Sequence, residues 1–351
     1  MGPKHKGNRL QFKPELKRVV MRRIIDPIDK DLIKSELTPD KMMRSTNKAN
    51  NELYIFTYHD SPNLMLEVGR LREIAFRHYG GGTGKETDID KYDIMETPYR
   101  QLIVWDPEQE EILGGYRFLS GADVEFNENG KPILATAHLL NFSDKFIKEF
   151  LPYTVELGRS FVSLEYQSTI RSRKGIFALD NLWDGLGALS VIDPTIKYFF
   201  GKVTMYGTYN KEARNMILYF MQKHFPDKDN LMEPIVPLET NTDIDKMRKL
   251  FNGKTFKEDY KTLNREVRAL KLNIPPLINA YMSLSPSMRV FGTSINDEFG
   301  DVEETGILIE EDQILEDKRI RHIESYLKSL PTKRFMNHLG NIIRGNRKRN
   351  K

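Results

Sequence analysis

The run Val155-Glu156-Leu157-Gly158-Arg159-Ser160-Phe161-Val162 places a carboxylate and a guanidinium inside an otherwise apolar, strand-like segment. Ionised groups in such surroundings are costly unless they are paired or used. Burial raises a carboxylate's pKa, which brings Glu156 towards the range of a working general base. Arg159 offers a planar fork suited to a bound carboxylate. Regular alternation would send these two side chains, three residues apart, to opposite faces. A bulge at Gly158 would return them to one face. Two further segments mix charge with apolar context. One is Leu71-Arg72-Glu73-Ile74-Ala75-Phe76, followed by Asp88-Ile89-Asp90-Lys91-Tyr92-Asp93; the other is Gly114-Gly115-Tyr116-Arg117-Phe118-Leu119. The competing reading makes Glu156, Arg159 and Arg117 a buried ion-pair network without a chemical role. For Asp88, Asp90 and Asp93, solvated loop charges stand beside substrate contacts.

Several chemistries are excluded by pattern. There is no G-x-S-x-G elbow for a serine nucleophile. In Gly80-Gly81-Gly82-Thr83-Gly84-Lys85-Glu86, three residues rather than four separate Gly80 from Gly84, and Glu86 stands where a phosphate loop needs Ser or Thr, so a flexible connection is expected. Asp88-Ile89-Asp90 begins like a calcium loop, but Asp93 replaces the turn glycine and Tyr99 the bidentate Glu. His138 has Ser143 five residues on and Asp144 after it, so no His-x4-Asp acyltransferase pair forms. The remaining histidines show no i, i+4 pairing, and with zero cysteines no metal site is expected.

Hydrophobic periodicity places these residues on elements. Strands are expected at Leu53–Tyr58, Gln101–Trp105, Ile112–Leu119, Thr154–Val162 and Lys202–Tyr206, and helices at Leu64–His78, near Asp144–Phe150, at Ile176–Ile192 and at Lys211–His224. A polar connection at 226–256 then leads to Pro275-Pro276, strands at Met288–Thr293 and Thr305–Ile309, and a charged helix at 312–329. The order is that of an α+β fold on a mixed sheet. The expected division is a basic extension (1–50), a catalytic core (51–240), a carboxy-terminal lobe (241–330) and a basic tail (331–351).

The chain has 351 residues and a net charge of +4. Residues 1–25 and 333–351 each carry +7, leaving −10 on the body between them. Leu16, Val19, Val20 and Ile24 recur at helical spacing near the start, as do Phe335, Met336, Leu339, Ile342 and Ile343 near the end. Basic amphipathic ends of this kind fit an anionic membrane surface; solubilising tails are the plain alternative, and nucleic acid is not expected. The absence of cysteine, of a signal-peptide pattern and of a long apolar run points to the cytoplasm, with peripheral attachment to the inner face of the membrane.

These segments resemble the N-acyltransferases that make amino-acid lipids such as ornithine and glycine lipids, a branch of the GNAT-like fold, and also the related acyl-homoserine-lactone synthases. That company shows L-R-x-x-x-F, matched by Leu71, Arg72 and Phe76, then E-x-D-x-Y-D, matched by Asp88, Asp90, Tyr92 and Asp93 with Asp for Glu. It continues with G-x-x-R-L-L, matched by Arg117 and Leu119, and E-x-x-R, matched by Glu156 and Arg159. Ile274-Pro275-Pro276-Leu277, Tyr281, Leu284, Gly292, Asp297, Phe299 and Asp301 are similar to the lipid-making branch in particular.

The resemblance implies transfer of a 3-hydroxy fatty acyl group from acyl carrier protein, or acyl-CoA, to the α-amino group of an amino acid, with no bound cofactor. Glycine is the favoured acceptor, ornithine the second. N-acetylation from acetyl-CoA and a non-catalytic lipid-surface role remain as alternatives. Glu156 would act as base with Arg159 beside it, and Arg72, Phe76, Asp90, Asp93, Arg117 and Ser160 would hold substrate. Acetyl-CoA enzymes of the fold carry a glycine-rich loop before the long helix. Here Arg171, Arg173 and Lys174 lie instead, suited to the carrier's acidic face and phosphopantetheine phosphate. Burying ten methylenes is worth roughly 8 kcal/mol, so a channel leading from Glu156 is expected, lined by residues such as Leu182, Trp183, Phe199, Phe200 or Met205.

Overall fold

The computed structural model describes residues 21–167 and 173–328, of which 173–179 and 328 are described by backbone alone. Both basic ends, through residue 20 and from residue 329, and the loop holding Arg171 lie outside the described residues. So do the side chains of Arg173 and Lys174.

Eight strands form one mixed sheet: β1 (Met42–Ser45), β2 (Glu52–Phe56), β3 (Arg100–Asp106), β4 (Glu111–Ser120), β6 (Thr154–Val162), β7 (Tyr198–Met205), β9 (Arg289–Asn296) and β10 (Val302–Glu310). Their order is β1-β2-β3-β4-β6-β7-β10-β9. The short pair β5 (Leu140–Phe142) and β8 (Met232–Pro234) makes a second ribbon. Neighbours in the large sheet are antiparallel except β6 and β7, which run parallel and pair across Thr154–Glu156 and Tyr198–Phe200.

Strand alternation sorts the sheet's side chains into two layers. On one face Leu53, Ile55, Leu102, Val104, Tyr116, Phe118 and Val155 pack against Leu182, Leu186 and Leu189 of the helix Arg173–Ile192. Each such leucine contributes roughly 1.5–3 kcal/mol by leaving water. On the other face Tyr54, Phe56, Ile103 and Trp105 meet Val68, Ala75 and Phe76 of the helix Pro62–His78.

The segment expected as a separate lobe does not stand apart. β10 pairs with β7 along eight residues. Met247, Leu263, Ile278 and Met282 share one apolar cluster with Val203, Phe220 and Ile307. A boundary at 240 would cut through that cluster, and β1 likewise ties part of the amino-terminal extension to β2. The polar connection at 226–256 holds β8 and the helix Ile244–Leu250.

The glycine run after the first long helix is not the slack connection its composition implies. It wraps the carboxylate of Glu73, which accepts hydrogen bonds from the Thr83 and Gly84 amides at 3.0 and 2.7 Å and from the Thr83 hydroxyl at 2.8 Å. Gly82 sits at φ 92°, where an L side chain is strained. This turn launches the loop that carries Asp88, Asp90 and Asp93.

Candidate active site

Four neighbouring strands each direct one charged side chain to the face that carries the helix Pro62–His78: Arg117 from β4, Glu156 from β6, Lys202 from β7 and Glu304 from β10. All four are buried or nearly so. Their strand neighbours Tyr116, Phe118, Val155 and Phe199 pack in the opposite layer, so the alternation leaves these charges beneath the sheet.

The bulge anticipated in β6 is present one residue on from where it was expected. Arg117 pairs with Gly158 and Gly115 with Phe161, so β6 carries an extra residue between those points. The left-handed residue is Arg159 itself, at φ 52°, rather than the glycine. A non-glycine residue there costs on the order of 1 kcal/mol, a strain kept where surrounding contacts enforce it. Here they do. Arg159 lies over the Phe299 ring at 4.2 Å, its Nε is 2.9 Å from Asp88 Oδ2, and its Nη2 is 3.5 Å from Asp90 Oδ2.

Arg117 donates to Asp90 at 2.7 Å and to Asp93 at 3.0 Å and stacks beside the Tyr99 ring. Arg72, wholly buried, pairs with Asp93 at 3.5 Å and donates to Gln101, whose amide returns to Asp93 at 2.9 Å. Asp90 caps the single turn Lys91–Ile94, accepting from the Tyr92 amide, while Asp93 accepts from the Asp90 amide. The aspartates read as possible loop charges are therefore internal counter-ions to three arginines. Asp90 is held well below the usual carboxylate range, its desolvation outweighed by Arg117 and Arg159. Burial instead raises Asp88.

Glu156 accepts from the Thr136 amide at 3.0 Å and from the Tyr99 hydroxyl, which in turn accepts from the Ala135 amide at 2.9 Å. Burial is the largest influence on its carboxyl and raises its pKa, against the hydrogen bonds from Tyr99 and Thr136. Burial also raises the Tyr99 hydroxyl well above its usual value.

Beyond Glu156 the parallel strands β6 and β7 part. A cavity of about 70 Å³ opens between them. Its floor includes Gly201, where any side chain would meet the Leu157 carbonyl at 2.8 Å. Arg159, Lys202, Thr204 and Glu304 line the charged end, flanked by Phe76 and Phe299; Phe199, Leu277, Tyr281, Ile307 and Ile309 line the apolar end. The cavity thus passes through the sheet from the charged layer to the apolar one.

Of the residues singled out from sequence, Phe76, Arg159, Ser160, Leu277, Tyr281 and Phe299 line this cavity. Arg72, Asp90, Asp93, Arg117 and Glu156 form the network beneath it. The channel expected to lead from Glu156 is not open: the cavity wall begins at Leu157, and at this size the space is shorter than a long acyl chain needs. Phe199 and Phe200 line it as expected, whereas Leu182 and Met205 are core. Trp183 lines a second cavity of about 20 Å³ on the far side of Phe199.

Sequence reasoning missed Lys202, Glu304, Tyr99 and Thr136. The signal for Lys202 was the one that found Glu156, a charge inside an apolar strand, Phe199-Phe200-Gly201-Lys202-Val203. Beginning that strand at Lys202 hid it. Lys202 pairs with Glu304, which also accepts from Asn296 at 2.9 Å and Thr204 at 3.3 Å. Desolvation lowers the Lys202 ammonium, and the Lys202 charge holds Glu304 below the usual range despite its burial.

Among the described residues no group of side chains is arranged to hold a metal ion, and no helix is long and apolar enough to cross a membrane.

A mixed sheet whose parallel strands part over buried charges is a GNAT-like acyltransferase architecture, and residues 71–173 match the family model of the acetyltransferase (GNAT) domain. Two relatives extend the match over most of the chain. A glycine N(alpha)-acyltransferase of Phocaeicola vulgatus is 66% identical over 311 residues, 89% of this chain and 95% of that one. A second, from Bacteroides thetaiotaomicron, is 65% identical over 311 residues, 89% and 92% of the two chains. No solved structure matches. The chain belongs to the family of these enzymes and is an N-acyltransferase.

Proposed function

We propose that the enzyme places a long acyl chain, of the 3-hydroxy fatty type, on the α-amino group of glycine, drawing it from acyl carrier protein in the making of an amino-acid lipid. One observation carries this reading. The cavity between β6 and β7 joins a charged compartment fit for a free amino acid to an apolar wall fit for an acyl group. The acceptor is taken from the names of the relatives, which are glycine N(alpha)-acyltransferases.

The α-ammonium must lose a proton before its nitrogen attacks the thioester carbonyl. Glu156 is the base in this scheme, directly or through one water. Its raised pKa brings it nearer the amine's, which favours the transfer. The C–N bond forms as the carbonyl π pair moves onto oxygen, and the C–S bond breaks when that oxyanion collapses. The nitrogen's second proton goes to the departing thiolate, and backbone N–H groups where β6 and β7 part would stabilise the oxyanion. Arg159 holds the acceptor's carboxylate. The acyl chain runs along Phe199, Leu277 and Tyr281, which must part to admit it, towards the second cavity beyond Phe199. Arg171, Arg173 and Lys174 receive the carrier's phosphopantetheine phosphate.

Purified protein given 3-hydroxyacyl carrier protein or the matching acyl-CoA, with glycine or ornithine, should yield acylglycine fastest from the carrier. Faster acylation of ornithine would overturn the acceptor, and equal rates from CoA the donor. Glu156→Gln should lower turnover at least roughly 100-fold with the fold intact; unchanged turnover removes Glu156 as base. The basic ends would dock the enzyme on anionic lipid. Removing residues 333–351 should weaken co-sedimentation with anionic vesicles, and undiminished binding would exclude the tail.

A further inference from the structure

Neither the motifs that carry the family resemblance nor the proposed base uses the Lys202–Glu304 pair. Yet this pair, and not Glu156, stands in the cavity wall beside Arg159. It joins adjacent strands: Thr204 lies opposite Glu304 in the β7–β10 ladder, and Lys202 reaches along its own strand to the same carboxylate. Glu304 is fixed from three directions, by Lys202, by Asn296 at 2.9 Å and by Thr204 at 3.3 Å. Such fixing holds an anion in place before a ligand arrives.

The charges in the wall have a definite order. Arg159 from the β6 bulge and Lys202 from β7 lie across the gap, with Glu304 on the β10 side. Arg159 is partly neutralised from behind by Asp88 and Asp90. The compartment thus presents two cations and one anion to a ligand, the mirror of a free amino acid with one carboxylate and one ammonium a few bonds apart. A buried ion pair gains little from its own attraction once desolvation is counted. Exchanging partners with a zwitterion costs it little for the same reason.

We propose that Lys202 and Glu304 form the recognition site for the amino-acid acceptor: Lys202 and Arg159 take its carboxylate, and Glu304 takes its ammonium and aims the nitrogen at the gap between β6 and β7. The inference rests on the reading that the acceptor is a free amino acid. Phe76 and Phe299, edge to face at 5.0 Å, close this compartment. A side chain on the acceptor would press on those rings, so the smallest amino acid fits best.

The test compares glycine with glycinamide, which keeps the amine and lacks the carboxylate, using the full-length enzyme and a long-chain acyl thioester. Wild type should prefer glycine in kcat/KM. Lys202→Met should raise the KM for glycine roughly 10- to 100-fold, leave the KM for the thioester unchanged, and reduce the preference over glycinamide. Glu304→Gln keeps the size and shape of the side chain. It should raise the KM for both amines by a similar factor, because it removes the ammonium's partner. If Lys202→Met fails to fold in a thermal melt, Glu304→Gln decides alone. Preserved discrimination in the folded lysine variant, or an unchanged amine KM in the glutamine variant, overturns the site. A wild type that acylates neither amine instead overturns the reading beneath it.

Discussion

Two groups of buried charges lie side by side under the same face of the sheet, and they differ in what is left over. In the group beneath β4 and β6, each charge is met within the protein. Arg72 pairs with Asp93, Arg117 with Asp90 and Asp93, and Glu156 with Tyr99 and Thr136. In the group between β6 and β10, Arg159 pairs with Asp88 and Asp90 and Lys202 pairs with Glu304, but one side of each of Arg159, Lys202 and Glu304 faces a cavity. Arg72 and Arg117 in the first group fix the acidic loop in place, while Glu156 sits at the group's edge, next to Leu157 in the cavity wall. The second offers charges to something outside the chain. A charge in an apolar strand identifies both; an empty space beside it separates them.

The contrast is broken most forcefully on the closed side. Arg72 is fully buried, and removing it takes from Asp93 one of its two arginines and leaves the Gln101 side-chain oxygen without a donor in the interior. Arg72→Met should therefore cost about 3–5 kcal/mol of stability, read as a lowered midpoint in urea unfolding. The protein that remains folded should keep a near-normal KM for glycine, since Arg72 does not reach the cavity. A variant of wild-type stability with a raised glycine KM would reverse the assignment, making Arg72 a substrate ligand and the network less closed than its geometry states.

The sequence exposed the closed group far more readily than the open one. Arg72, Asp90, Asp93, Arg117 and Glu156 stand in short segments whose spacing is local, and of the open group Arg159 alone shares one of those segments. The expected strand at Thr154–Val162 and helix at Lys211–His224 match the structure at both ends. Lys202 and Glu304 meet through a pairing between β7 and β10, about a hundred residues apart, and no local period reports that contact. The same reason hid the continuity of the sheet. The polar composition of 226–256 read as a break between units, but β9 and β10 return after it to complete the sheet through tertiary packing. The bulge followed from counting faces, whereas its left-handed residue did not: glycine was the economical choice, and contacts with Asp88, Asp90 and Phe299 placed the strain on Arg159 instead.

A finer difference separates the two glutamates, and pH exposes its sign. Burial raises the Glu156 carboxyl above the usual glutamate range, so the folded state favours its protonated form. Its contribution to stability is present below that range and is lost as pH rises through the raised pKa. Glu304 is held down by Lys202, so its contribution is present above the usual range and is lost as pH falls through the lowered pKa. Unfolding free energies measured across a pH series should accordingly diverge. Relative to wild type, Glu156→Gln should gain stability as pH rises, and Glu304→Gln should gain it as pH falls. The acid limb of kcat/KM should follow Glu156, rising through its raised pKa, and should survive in Glu304→Gln because that carboxylate is already ionised throughout the limb. If both variants drift in the same direction with pH, the two glutamates share one environment, and the division between a closed scaffold and an open acceptor site does not hold at Glu304.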